Sequence, residues 1–160
     1  MAEKILKLAL EALRAKGKAD SVNLAAAAVS GEADGTYLIE REAEIPTWRQ
    51  RAYNTDETPV GKPYKWADQV YTLSQQHDAT EQPDWSPDKA VSLWDICHTT
   101  APSLAKDYVA PQGTRGLWRV NECCVQNQHV WRNLTANNAY SPSELPDSWE
   151  DLGVAEGIQA

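Results

Sequence analysis

Two tryptophans nine residues apart, Trp85 and Trp94, bracket the segment Trp85-Ser86-Pro87-Asp88-Lys89-Ala90-Val91-Ser92-Leu93-Trp94. The frame returns downstream as Tyr140-Ser141-Pro142-Ser143-Glu144-Leu145-Pro146-Asp147-Ser148-Trp149. Each time an aromatic, a Ser-Pro step and a closing Trp stand at the same offsets. In a polar chain without a single Phe, a repeated aromatic frame predicts a small module used twice in place of one large pocket. Flat aromatic faces on small scaffolds hold sugars and other amphipathic ligands, so the pattern favours binding over catalysis.

Composition narrows the partners. The 160 residues suffice for one domain or two very small ones. A formal charge of -8 disfavours nucleic acid or an anionic membrane. No apolar run approaches the roughly 20 residues of a membrane span, and the N-terminus Met1-Ala2-Glu3-Lys4-Ile5-Leu6-Lys7 lacks the apolar core and cleavage site of a secretory signal. Synthesis and folding in a cytoplasm are expected. The odd cysteine count (Cys97, Cys123, Cys124) allows at most one ordinary disulfide and fits reduced, buried thiols. Cys97-His98, Cys123-Cys124 and His129 fit no C-x-x-C spacing, so reduced thiols are preferred to a zinc set.

The seven Trp and five of the six Tyr lie after residue 47, which divides the chain by composition. Before that point Ile5, Leu6, Ala9, Leu10 and Leu13 recur at helical spacing, with Gly17 as a stop. Asp20 or Ser21 would cap a second helix through Val22 to Val29, ended by Ser30-Gly31. Such helices are short of apolar surface and need a partner: a copy of themselves, a larger assembly, or the C-terminal part of the same chain. Asp34-Gly35 signals a turn into a short strand at Thr36–Ile39. Residues 49–62, polar with Pro59 and Gly61, read as a linker or long loop. Pro63–Trp66 and Val70–Ser74 form a hairpin around Ala67-Asp68-Gln69.

A second hairpin runs from Leu117–Cys124 through a turn at Gln126–His129 into Val130–Leu134. The two can be overlaid, Val70-Tyr71 on Val130-Trp131 and His77-Asp78-Ala79 on Asn137-Asn138-Ala139, with five extra residues before Trp85 in the first copy. An internal duplication with one loop insertion accounts for this. Residues between the copies, His98–Pro102 and Val109–Gly113, read as a connector, with one helical turn at Ser103–Lys106.

The frame Tyr64…Val70-Tyr71…Gln76-His77…Trp85-Ser86-Pro87…Leu93-Trp94 resembles the small chitin- and cellulose-binding modules of carbohydrate-binding families 5 and 12. The resemblance spans about residues 60–97 and again 114–152. There are departures: Ala67 stands where the family has glycine, Tyr140 replaces Trp85 in the second copy, and Asn137 replaces His77. Such modules close bacterial chitinases and also recur in bacteriophage structural proteins, sometimes paired behind a helical segment, and the layout here is similar to that second setting.

The resemblance therefore implies a fold that is mainly β with a helical N-terminus: an anchor over residues 1–47 followed by two three-stranded β modules, 60–97 and 114–152. It makes Trp94 and Trp149 core residues and sets Trp85 and Tyr140 on an exposed face. A pyranose is apolar on its C–H side and stacks on such a ring, while nearby polar groups bond its hydroxyls; Gln76, His77, Asp78, Asp84 and Asp88 are the candidates. The opposing reading packs Trp85 against the linker or the other module.

Catalysis is not expected. Glu40, Glu42 and Glu44 read as a solvated strand edge, the histidines lack a nucleophile in recognisable context, no phosphate loop is present, and no cofactor is implied. Two functions follow. One is a virion accessory or fibre-like protein that touches bacterial surface glycan, weak sites being multiplied by copy number. The other is a purely structural tail, baseplate or capsid decoration protein that uses its aromatics at protein interfaces. In either case the N-terminal helices are expected to join other virion proteins or form a homo-oligomer, a trimer suiting a fibre.

Overall fold

The computed structural model describes residues 2–159: a long N-terminal helix followed by small, mostly antiparallel sheets. Helix α1 runs without interruption over Ala2–Ser30, where sequence reading placed two helices separated at Gly17. A glycine inside a helix costs only about 1 kcal/mol. Lys16 and Asp20, paired at 2.8 Å one turn apart, bridge the weak point. The true stop is Gly31, whose positive φ of 83° lets its N–H reach back to the Ala28 carbonyl.

The expected strand at Thr36–Ile39 is instead a short helix, α2, over Gly35–Glu40. Asp34 caps it by accepting the Tyr37 N–H at 2.8 Å. Leu38 and Ile39 are then both buried, against Leu24 of α1, Ile45 and Val70. A run of four residues fits helix and strand periods alike, and the cap decides. The acidic run ends in a 3-10 turn at Glu42–Glu44, not a strand edge. Glu42 is tied to Lys106 at 2.8 Å.

Residues 49–62 are no slack linker. They contain β1, Ala52–Tyr53, which pairs with β4, His77–Asp78. Tyr53 is fully buried, and its hydroxyl both accepts from the Arg49 N–H and donates to the Arg49 carbonyl. The first main sheet holds β2 (Pro63–Trp66), β3 (Gln69–Leu73) and β5 (Trp94–Ile96), in order β2-β3-β5. The second sheet holds β6 (Lys106–Asp107), β7 (Cys123–Gln126), β8 (His129–Asn133) and β9 (Trp149–Val154), in that order, with β6 joined parallel. A short helix α3, Ala155–Gln159, packs back through Ile158. Helix and strand amount to about 31% and 25% of the chain, so the fold is mixed where a mainly β one was expected. The continuous α1 makes the difference.

Both hairpins form, the second with its first strand shifted to Cys123–Gln126, and both turn on two residues of positive φ: Ala67 and Asp68 (50° and 60°), Asn127 and Gln128 (53° and 67°). That geometry matches the twist of the flanking strands. Their registers run in step. Tyr64 faces Tyr71 and Lys65 faces Val70 in the first sheet, while Cys124 faces Trp131 and Val125 faces Val130 in the second. The third strands agree as well, Leu73 opposite Trp94 and Asn133 opposite Trp149. Of Leu117–Cys124, only the last two residues enter a strand. Residues before them bend through Asn121 (φ 74°), and Trp118 bridges to Asn138.

Candidate functional site

The segment from Trp85 to Trp94 wraps as a loop over the first sheet. Pro87 is fully buried, the Ser86 carbonyl accepts from the Lys89 and Ala90 N–H groups, and the Trp94 indole N–H donates back to the Trp85 carbonyl at 3.3 Å. From Tyr140 to Trp149 the same bonds recur. Pro142 is buried, the Ser141 carbonyl accepts from Glu144 and Leu145, and the Trp149 indole N–H donates to the Tyr140 carbonyl at 3.0 Å. The closing indole thereby fixes the backbone of the aromatic nine residues earlier and leaves that residue's side chain turned away from the core. Tyr140 keeps 55% of its surface open and Trp85 is half-buried.

What surrounds Trp85 is unevenly available. His77 is buried with its ring against Tyr53, Trp85 and Trp94, at centroid distances of 5.4, 5.9 and 5.4 Å. Its Nδ1 lies 2.8 Å from the Gln75 carbonyl, so it braces the Trp85 ring from behind. Gln76 donates to the carbonyls of Thr55 and Thr58 at 3.1 and 2.9 Å and ties down the loop before β2. Asp78 is exposed and accepts from the Thr80 hydroxyl and N–H; those bonds hold its carboxyl below the usual range. Asp84 is open to solvent, 3.5 Å from Lys89. Asp88 accepts from the Trp66 indole at 3.0 Å and from the Ser86 hydroxyl. Of the polar candidates, Asp78 and Asp84 remain free to meet a ligand, while His77, Gln76 and Asp88 hold the scaffold.

Closing aromatics sit where the resemblance implied. Trp94 is buried among Tyr53 and Tyr64, edge-on at 5.1 and 5.5 Å. Burial pushes the Tyr64 and Tyr71 phenols up to about 12. Trp149 is buried with Trp118 and Cys124.

Sequence reading missed the seam between the sheets. His98, in the expected connector, stacks on Trp118 at 3.5 Å with planes 7° apart, and its Nδ1 lies 3.2 Å from Glu122. Arg115 reaches the Val91 and Ser92 carbonyls, the Ser74 hydroxyl and Asp95, all within 3.3 Å. Gln69 donates to the Asp107 carbonyl at 3.0 Å. A polar cleft of about 580 Å³ opens beside this seam, lined among others by Asp95, His98, Arg119, Glu122 and Asn137. Nothing in the local sequence marks these pairs, since each joins residues 20 or more apart.

The three cysteines are free thiols, and burial pushes Cys97 and Cys124 up to about 12. Among the described residues no group of His, Cys, Asp and Glu is arranged to hold a metal ion, and no helix is long and apolar enough to cross a membrane. No family model matches the chain, and no curated protein matches it either.

Proposed function

We propose that the chain is a phage virion accessory or fibre-like protein whose two β units arose by internal duplication and contact bacterial surface glycan, without catalysis or cofactor. The observation that carries the reading is the paired indole-to-carbonyl bond, Trp94 to Trp85 and Trp149 to Tyr140. In each unit it sets an aromatic side chain outside a scaffold closed by a buried Trp. Duplication is supported by register. Residues 63–73 and 123–133 pair at a constant offset of 60, and residues 94–96 and 149–151 at an offset of 55. The change of five falls in the loop before Trp85.

The offset of 60 extends further upstream than the frames themselves. The Trp48 N–H donates to the Lys65 carbonyl and the Tyr108 N–H to the Val125 carbonyl, both at 2.9 Å. Thr47 and Asp107 bridge the same two positions in parallel. On this basis each unit begins near residues 42 and 102, so the stretches read as linkers belong to the modules.

The two units differ in what they offer a sugar. The first offers an indole that follows the exposed Asp84 in the chain, with Asp78 exposed on the strand that carries His77, a stacking face and acceptors for hydroxyls. The second offers a phenol. The first is therefore the principal site. Retention of the full chain on chitin and on bacterial cell-wall polysaccharide, compared with Trp85→Ala, tests this; no retention, or retention unchanged in the variant, would sink it. The second reading, a purely structural tail, baseplate or capsid decoration protein, draws on the half-burial of Trp85 behind His77 and is favoured by that negative result.

A further inference from the structure

The first part of α1 stands clear of the body. Residues 2–19 are exposed throughout, including Leu6 and Leu13, which keep 62% and 65% of their surface open. At 3.6 residues per turn, Ala2, Leu6, Ala9 and Leu13 line one stripe, flanked by Ile5 and Leu10. Leu24, the α1 residue buried against the body, stands about five whole turns beyond Leu6. The body therefore covers this same face further along, from about Asp20, and leaves the stripe before it bare.

We propose that two copies of the chain pair through this stripe as an antiparallel helix dimer, an inference independent of the glycan reading. Three observations select this occupant. Run antiparallel, the stripe sets Leu6 against Ala9 of the second copy and Leu13 against its Ala2, large against small at each layer, which is how facing helices interdigitate. Glu3 and Arg14 lie on the same flank of the stripe. Like flanks meet only in an antiparallel pair, which brings Glu3 of one copy within side-chain reach of Arg14 of the other at both ends. A parallel pair sets opposite flanks together and gains no such ion pair.

The third observation is steric. Because the body occupies the stripe's own face beyond Asp20, a parallel pair would drive two bodies into the same space. An antiparallel pair sets the two bodies at opposite ends of the paired stripe, so they do not compete for one space. The outer face, with Lys4, Glu11 and Lys18, is the solvated side such a pair needs.

The test has two arms on the full chain. Native mass should be twice 17.8 kDa, falling to 17.8 kDa in Leu6→Glu/Leu13→Glu with the near-ultraviolet signature of the buried tryptophans unchanged. Under mild oxidation Ala9→Cys, near the two-fold axis, should cross-link to itself at least tenfold more than Ala2→Cys. A disulfide needs Cα atoms within about 7 Å, and residue 2 of the two copies would be roughly 16 Å apart along the axis. A monomer, a trimer or higher assembly, or equal cross-linking at both positions would overturn the proposal.

Discussion

The two sheets share a strand register yet differ in chemistry at the core position opposite the closing Trp, Leu73 in the first and Asn133 in the second. In the first, Tyr53, Tyr64, Tyr71, Leu73 and Trp94 form an aromatic and aliphatic cluster. In the second, the position opposite the closing Trp is Asn133, fully buried. Its amide donates to the Arg119 and Thr135 carbonyls and its carbonyl accepts from Asn138, which also donates to the Ser148 hydroxyl. Both scaffolds bury an apolar cluster, the second around Trp118, Cys124 and Trp149, and the second adds a buried amide network at the position where the first has Leu73. The lesson is that strand register and the closing indole set the shape, and the position opposite that indole can be apolar or polar where, as at Asn133, the amide's own groups find partners.

Exchanging these two side chains is the sharpest way to break this comparison. Leu73→Asn removes a packed side chain and buries an amide with no partners, so it should cost more than the about 2–5 kcal/mol of a Leu→Ala truncation. Asn133→Leu is the reverse change. It leaves the Arg119 and Thr135 carbonyls and the Asn138 amide short of partners, at about 1–3 kcal/mol each, offset in part by the buried apolar side chain. Denaturant unfolding of both variants checks the order; an Asn133→Leu protein as stable as the parent would mean the network is dispensable.

A smaller effect should have the opposite sign. Ala67 holds a left-handed φ of 50°, which a Cβ resists, so Ala67→Gly is expected to stabilise by up to about 1 kcal/mol. Asn127, at the matching turn, is a residue that tolerates that region, and Asn127→Gly should change little. A shift in the thermal midpoint for the first and none for the second would sharpen the comparison of the hairpins.

The buried thiols give a kinetic reading. Cys97 and Cys124, held up near 12 by burial, should resist alkylation at pH 8 in the native protein and react quickly once it is unfolded. Mass spectrometry after timed labelling reads this directly.

The smallest effect concerns pH and belongs to the second sheet. His129, at 2.8 Å, and the Gly153 N–H hold the Asp151 carboxyl below its usual range. With the folded value depressed, its contribution is present above about pH 4, where the unfolded chain's carboxyl titrates, and is lost as pH falls through the folded value. Asp151→Asn should flatten that acid limb slightly. A limb unchanged by the substitution would show that this pair adds nothing.

Legibility of the fold in the sequence followed the range of the interactions. Hairpins at Ala67-Asp68 and Asn127-Gln128, and the two Trp-closed loops, are local and were readable from turn residues and spacing. So was the helical turn near Ser103, found at Pro102–Leu104. Helix α2 was not, because Asp34 is a cap only if Leu38 and Ile39 have a core to enter. Tyr53 was hidden in a polar stretch where it and the exposed Val60 are the only large apolar side chains and show no period. For the candidate site, the exposed Tyr140 sits where the resemblance implied, while Trp85 is half-buried against His77. The roles of Gln76 and His77 were not legible, since their partners, Thr55, Thr58 and Tyr53, lie about 20 residues upstream.

The claim at the centre is that Trp85, and only secondarily Tyr140, meets a sugar. Seven tryptophans provide seven indole N–H signals, and a nuclear magnetic resonance titration with a soluble chitin oligosaccharide reads them together. The account predicts a saturable shift that is largest for the Trp85 indole, smaller for Trp94, weaker still for Trp149, which is bonded to the Tyr140 carbonyl, and smallest for Trp118. An unmoved Trp85 signal, or shifts confined to the other tryptophans, would contradict it.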